Sequence, residues 1–161
     1  MSDQPRLENR PAVPYLGIPV FTSMAEEAQV IDAHLAELQR WMHAKAIAPT
    51  GPPFVRYRQI DMPDRMEIEV CLPVDEAPPG DGRVRGNELP EGRYAVLVHE
   101  GPLDGLVQAN EELQRWARQE GIEFQTHQRG EATDWTSRTE TILNEPGVSP
   151  EQTEIAYLLK A

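Results

Sequence analysis

Cysteine is nearly absent from this sequence: Cys71 is the only one in 161 residues. No internal disulfide can form, which suits a reducing compartment. Long apolar runs are missing as well. None approaches the ~20 residues of a membrane span, and the polar stretch Met1–Arg10 lacks the apolar centre of a signal peptide. Basic residues are scarce. Fifteen Lys and Arg stand against 27 Asp and Glu, a net charge of −12. Such a chain repels a phosphate backbone, so direct nucleic-acid binding is not expected. The four histidines, His34, His43, His99 and His127, never fall at a metal-ligand spacing, so no metal site is expected. A Gly-rich phosphate loop, a serine elbow and a dinucleotide fingerprint are all lacking, and no cofactor is expected. What is present is 39% apolar and 26% charged, the balance of a globular chain of one domain's length. The expectation is a cytoplasmic protein with no membrane association, working as a monomer or weak dimer.

The strongest positive signal is a repeat. Glu37-Leu38-Gln39-Arg40-Trp41 returns letter for letter as Glu112-Leu113-Gln114-Arg115-Trp116. Ile47 and Ile122 keep the same spacing. A second echo follows each copy, Met66-Glu67-Ile68-Glu69-Val70 and Thr153-Glu154-Ile155-Ala156-Tyr157. Two copies are too few for a solenoid. They suit one domain with pseudo-two-fold symmetry and a binding site at the seam.

The order of elements supports this. Residues 1–12 are polar and expected to be loosely held. Tyr15–Phe21 reads as a strand, with Pro14 and Pro19 suiting an edge or a bulge. Ser23 and Glu26 have capping-box spacing. Ala28, Ile31, Leu35, Leu38 and Met42 then step along one helical face. Phe54–Ile60 and Met66–Pro73 form a hairpin. The first module therefore covers about 13–74. Residues 75–90, rich in Pro, Gly and charge, form a connector. The order repeats over about 91–161. Gly92–His99 is a strand, Asp104 can cap a helix presenting Leu106, Ala109, Leu113 and Trp116/Ala117, and Gly121 ends it. Trp135–Leu143 and Thr153–Leu159 form the last hairpin. The fold class is α+β.

Gly92-Arg93-Tyr94, His99-Glu100-Gly101-Pro102, Leu113-Gln114-Arg115-Trp116, Arg138-Thr139-Glu140-Thr141, Asn144-Glu145-Pro146 and Thr153-Glu154-Ile155 form an ordered series. The series resembles the GyrI-like small-molecule-binding domain, also the effector domain of multidrug-responsive transcription regulators. The resemblance runs from about Tyr15 to Lys160. It implies two β-α-β-β modules in a joined antiparallel sheet, both helices on one face and a ligand groove along the axis. It also implies binding of lipophilic, often cationic or planar compounds. Some members modulate DNA gyrase, and some hydrolyse reactive cyclopropane-type toxic compounds. The family's acidic residue in the penultimate strand maps onto Glu140. Leu103 and Ile142 stand where the family more often has aromatic residues. Only about a dozen residues precede the domain, so a stand-alone member without a helix-turn-helix is expected.

Aligning the two hairpin turns on Asp61-Met62-Pro63 and Asn144-Glu145-Pro146 makes Tyr57 and Glu140 symmetry mates. A carboxylate and a phenol facing one another can hold a cation by charge and ring face. With its pKa raised by burial, the carboxylate can instead activate water. The plainer reading is a solvated strand acid beside Arg138. Trp41 and Trp116 are also mates and either wall the groove or pack in the core. Trp135 either closes one end of the pocket or packs at a turn edge. Cys71 is expected as a small buried or half-buried side chain rather than a nucleophile. Three functions follow: a binding module for a small amphipathic molecule, a hydrolase with Glu140 and Tyr57 as catalytic groups, or an acidic modulator of a protein partner such as gyrase.

Overall fold

Side chains along the strand Arg65–Pro73 alternate between two environments, and that alternation sets the layering. Met66, Ile68 and Val70 pack with Val55, Tyr57, Ile31 and Leu35. Leu72 joins Leu16, Ile18, Leu38 and Met42. Glu67, Glu69 and Cys71 turn to the opposite face. The computed structural model describes residues 3–61, 65–144 and 151–161. Its strands are β1 (Arg6–Arg10), β2 (Val13–Thr22), β3 (Phe54–Asp61), β4 (Arg65–Pro73), β5 (Arg85–Leu89), β6 (Gly92–Glu100), β7 (Thr126–Arg129), β8 (Ala132–Trp135), β9 (Arg138–Ile142) and β10 (Gln152–Leu158). Its helices are α1 (Glu27–Ala44) and α2 (Leu106–Gln119), the latter entered through a 3-10 turn at Leu103–Gly105.

The strands form one antiparallel sheet in the order β1-β6-β10-β9-β3-β4-β2-β5, with β8 beside β3 and β7 beside β8. Read outward from the middle, one side runs β3-β4-β2 and the other β9-β10-β6. The seam is the β3–β9 pair, where Val55 faces Glu140 and Arg56 faces Thr139. Opposed residues of an antiparallel pair share a face. Val55 belongs to the cluster under α1, and Glu140 is bonded to Asn110 of α2. Both helices therefore cover the same face, as the α+β reading requires.

The helices sit where their apolar stripes demand. In α1, Leu38 and Met42 are buried and Ile31 and Leu35 partly so, whereas Ala28 is exposed. In α2, Ala109, Leu113 and Ala117 are buried, the first two against Ala95, Leu97, Ile155 and Tyr157. Gly121 follows α2 with φ +70°, a conformation that costs glycine little.

Several local expectations are corrected. The N-terminal segment is not loose: β1 pairs with β6 from Arg6↔Val96 to Arg10↔Gly92. The connector is not plain loop either, because β5 pairs with β2. Both strands are mostly polar, held by backbone pairing with one leucine each, Leu7 and Leu89, packed on the core. Trp135–Leu143 is not one strand. Thr136 and Ser137 separate β8 from β9, and Arg58 bulges out of β3 where its partner changes from β9 to β8. Neither helix has a side-chain cap: Glu26 and Gly105 occupy the N-cap positions, so Ser23 and Asp104 do not cap.

The alignment of the halves used turns of which Met62, Pro63, Glu145 and Pro146 lie outside the described residues. The strand registers supply the same alignment. Tyr57 pairs with Ile68 and Glu140 with Ile155. Ile68 and Ile155 are the matching letters of the second sequence echo.

Candidate functional site

Five elements converge beside the seam. Tyr57 from β3 projects between two carboxylates: its hydroxyl is 2.9 Å from Glu140 Oε1 on β9 and also hydrogen-bonds Glu27 Oε1. Glu27 opens α1, where the helix dipole favours a negative charge. Glu140 Oε2 accepts from Asn110 Nδ2 at 3.0 Å, and the same amide donates to Leu106 O at 2.8 Å. Asn110 Oδ1 accepts from the Tyr157 hydroxyl, which in turn accepts from Gln114 Nε2 at 3.1 Å. Every polar group of Asn110 is thus engaged, so the amide fixes both Glu140 and Tyr157.

Arg138 lies among the rings. Its guanidinium carbon is 4.7 Å from the Trp135 centroid, 4.8 Å from Tyr157 and 5.6 Å from Tyr57. The rings brace each other, with Trp135 and Tyr157 centroids 5.0 Å apart and Phe124 4.9 Å from Tyr157. Three aromatic faces around one cation make a cation–π cage.

Burial dominates the acid–base properties here. It pushes the Tyr57 phenol well above its ordinary range, helped by the charges of Glu140 and then Glu27. It also raises Glu27, against the opposing hydrogen bond from Tyr57 and with help from the charge of Glu140. Tyr157 is raised by burial against the pull of Arg138. A phenol has one proton to give, and here it stands between two carboxylates. When Glu27 carries a proton it can donate to the Tyr57 oxygen while Tyr57 donates to Glu140.

Of the sequence-derived candidates, the structure brings together Tyr57, Glu140 and, through Arg138, Trp135. Trp41 and Trp116 are not in this hydrogen-bonded group. Trp41 is half-buried against the cluster of Leu38 and Met42, and Trp116 against that of Leu113 and Tyr157. Sequence reasoning missed Glu27, Asn110 and Tyr157. Asn110 did leave a signal: it interrupts the apolar stripe Leu106–Leu113–Ala117 at helical spacing, where a polar residue needs a partner.

Met24, Val107 and Leu143 are exposed apolar side chains. Val107 and Asn110 are neighbours on one helical face. The larger described cavity, about 690 Å³, lies elsewhere, on the helix-free face of the sheet. Trp135 lines it together with Arg58, Arg85, Arg129, Glu69 and Asp134, but Tyr57 and Glu140 do not.

The same chain matches the family model of the GyrI-like small molecule binding domain over residues 3–133, most of its length. The chain belongs to the GyrI-like family. It is therefore a small-molecule-binding domain, and the matched region holds Glu27, Tyr57 and Asn110, while Glu140 lies beyond it. No curated protein is significantly similar in sequence. Among solved structures, the EcmrR C-terminal domain aligns with TM-score 0.78 and 19% identity, over 98% of this chain and 97% of that one. In the EcmrR–DNA complex the chain spans 57% of the EcmrR polypeptide, with TM-score 0.81 and 19% identity over 98% of this chain. A hydrolase from Listeria innocua aligns with TM-score 0.65 and 15% identity, over 98% of this chain and 92% of that one. SAV2435 bound to tetraphenylphosphonium aligns with TM-score 0.57 and 14% identity, over 99% and 95%. At these identities the likeness is one of fold. Among the described residues no helix is long and apolar enough to cross a membrane.

Proposed function

We propose that this GyrI-like domain binds lipophilic organic cations at the Tyr57–Glu140 site. One observation carries the reading: two carboxylates, Glu27 and Glu140, meet at the Tyr57 phenol, whose ring with those of Trp135 and Tyr157 surrounds a cation. When both are ionised, they outnumber the single guanidinium of Arg138. A site with surplus negative charge and ring faces selects a cation, and the ring faces favour one with apolar substituents. The ligand named with SAV2435, tetraphenylphosphonium, has that chemistry, which supports the reading for this fold.

The hydrolase alternative fits the geometry less well. Both Glu140 oxygens accept hydrogen bonds, from Tyr57 and Asn110, which orient the carboxylate. The carboxylate is held as a fixed charge, which suits holding a ligand better than taking a proton.

Calorimetry with tetraphenylphosphonium and with the uncharged triphenylphosphine oxide tests the proposal. The wild type should prefer the cation. Glu140→Gln should weaken cation binding by about 1–3 kcal/mol, the scale of a charged hydrogen bond, and leave the neutral compound nearly untouched. Equal affinity for both compounds, unchanged in the variant, would remove the proposal.

A further inference from the structure

Arg138 is an unusual occupant for a site that should welcome cations. Its guanidinium fills the space between the Tyr57, Trp135 and Tyr157 rings. Yet it is poorly satisfied there. Its buried Nε has no hydrogen-bond partner among the described residues. Its Nη2 reaches Asn110 Oδ1 only at 3.5 Å, the long limit of a hydrogen bond. Arg56 and Arg58 are held more firmly, although the buried Nε of Arg56 also lacks a partner. Arg56 donates at 2.8 Å to Tyr15 and at 2.7 Å to Thr136 O, and Arg58 reaches Glu69 at 2.7 Å. A guanidinium carries five N–H donors, and burying them unpaired is costly. A phosphonium or quaternary ammonium carries none. The cage supplies ring faces and nearby carboxylates, which satisfy charge without needing N–H donors.

We propose that Arg138 is a tethered stand-in for the ligand: its guanidinium occupies the cation position of the cage, and an organic cation binds by taking its place. This rests on the reading of the site as a cation site and adds how that site is regulated. The side chain is only half-buried, at the start of β9. Four rotatable bonds let the guanidinium swing to water without moving β9, and hydration then satisfies its donors. The affinity of the wild type is thereby set by an internal competition. Cations too weakly attracted to displace Arg138, such as small hydrated ammonium ions, are refused. Those with large apolar faces succeed. Arg138 is in this sense the specificity-determining residue of the site.

The experiment uses the full chain with Arg138→Ala and the longer, apolar Arg138→Met, and two probes, methylguanidinium and methyltriphenylphosphonium. Circular dichroism and thermal melting establish that each variant folds. Methylguanidinium at millimolar concentration should raise the Tm of Arg138→Ala and leave the wild type, whose cage is filled, nearly unmoved. Arg138→Met should respond less, since its side chain partly refills the cage. Methyltriphenylphosphonium should bind Arg138→Ala roughly tenfold or more tighter than the wild type, because the internal competitor is gone. Methylguanidinium should compete with it in the variant. The proposal is overturned if Arg138→Ala binds the phosphonium no tighter than wild type and methylguanidinium does not stabilise it. Arg138 is then a wall of the site. If no form binds the phosphonium but methylguanidinium still stabilises Arg138→Ala, the self-filled cage stands, and it is the proposed function that fails.

Discussion

Tyr57 and Glu140 lie 83 positions apart in the chain and 2.9 Å apart in space, and each occupies the same place opposite an isoleucine of the echoed strand. One half of the repeat contributes a phenol and the other a carboxylate at matching positions. The phenol lies over the seam and links α1, through Glu27, to β9. Removing its hydroxyl strands two carboxylates.

Tyr57→Phe should therefore destabilise the fold by about 1–3 kcal/mol at neutral pH, more than the loss of one ordinary hydrogen bond. Urea unfolding measures it. Glu140→Gln should cost less, because Gln still accepts from Tyr57. A Tyr57→Phe cost below that of Glu140→Gln would mean that the hydroxyl is not the centre of the cluster.

The helix-free face has its own buried polar group. Glu69 Oε1 accepts from Tyr15 at 2.8 Å and from Arg58 at 2.7 Å, and its side chain is only 7% exposed. Glu69→Ala should cost about 1–3 kcal/mol, since it leaves a buried hydroxyl and a guanidinium without their acceptor. Because this group is on the opposite face from Glu140, ligand affinity should be unchanged, and calorimetry on the same variant checks that.

Cys71 is fully buried, and burial, then the charge of Glu69, holds its thiol well above the ordinary range. Only the thiolate reacts with disulfide reagents. Cys71 should be silent to a chromogenic disulfide in the native protein and react fully in denaturant. Prompt reaction of the native chain would show that β4 opens readily from the sheet.

The sequence displayed what periodicity and repetition can display. The stripes of α1 and α2, the alternation in β4 and the echo at Ile68 and Ile155 all announce surfaces that must be buried. The pairing of Tyr57 with Glu140 followed from aligning the two hairpin turns. What stayed hidden is what tertiary structure assembles without apolar patterning. β1, Arg-Leu-Glu-Asn-Arg, and β5, Arg-Gly-Asn-Glu-Leu, are outer strands held by backbone bonds, and their letters look like loop. Glu27 is one of many acids until α1 places it on Tyr57. Arg138 looked like a surface partner of Glu140, because a cage needs rings from three strands, and these lie far apart in the chain.

The last prediction couples ligand to protons. Burial raises Glu27 above the ordinary carboxylate value of 4.5. For a carboxyl group raised in the folded state, the sign is fixed. The unfolded chain ionises first as pH rises, so Glu27's contribution to stability is full below pH 4.5 and is lost as pH climbs through the raised folded value. Glu27→Gln should therefore gain stability relative to wild type above that window and lose the advantage below it, which urea unfolding across pH reveals. A bound cation acts the opposite way on Glu27, since a positive charge beside it favours the ionised form. Binding must then release protons, and cation affinity must rise with pH across the same window. Calorimetry in two buffers of different ionisation enthalpy reads the released protons directly. The wild type should show a buffer-dependent heat with a lipophilic cation, and Glu27→Gln should show little. A buffer-independent heat in the wild type would mean that Glu27 is already ionised in the free protein, and the proton chain from Glu27 through Tyr57 to Glu140 would have to be given up.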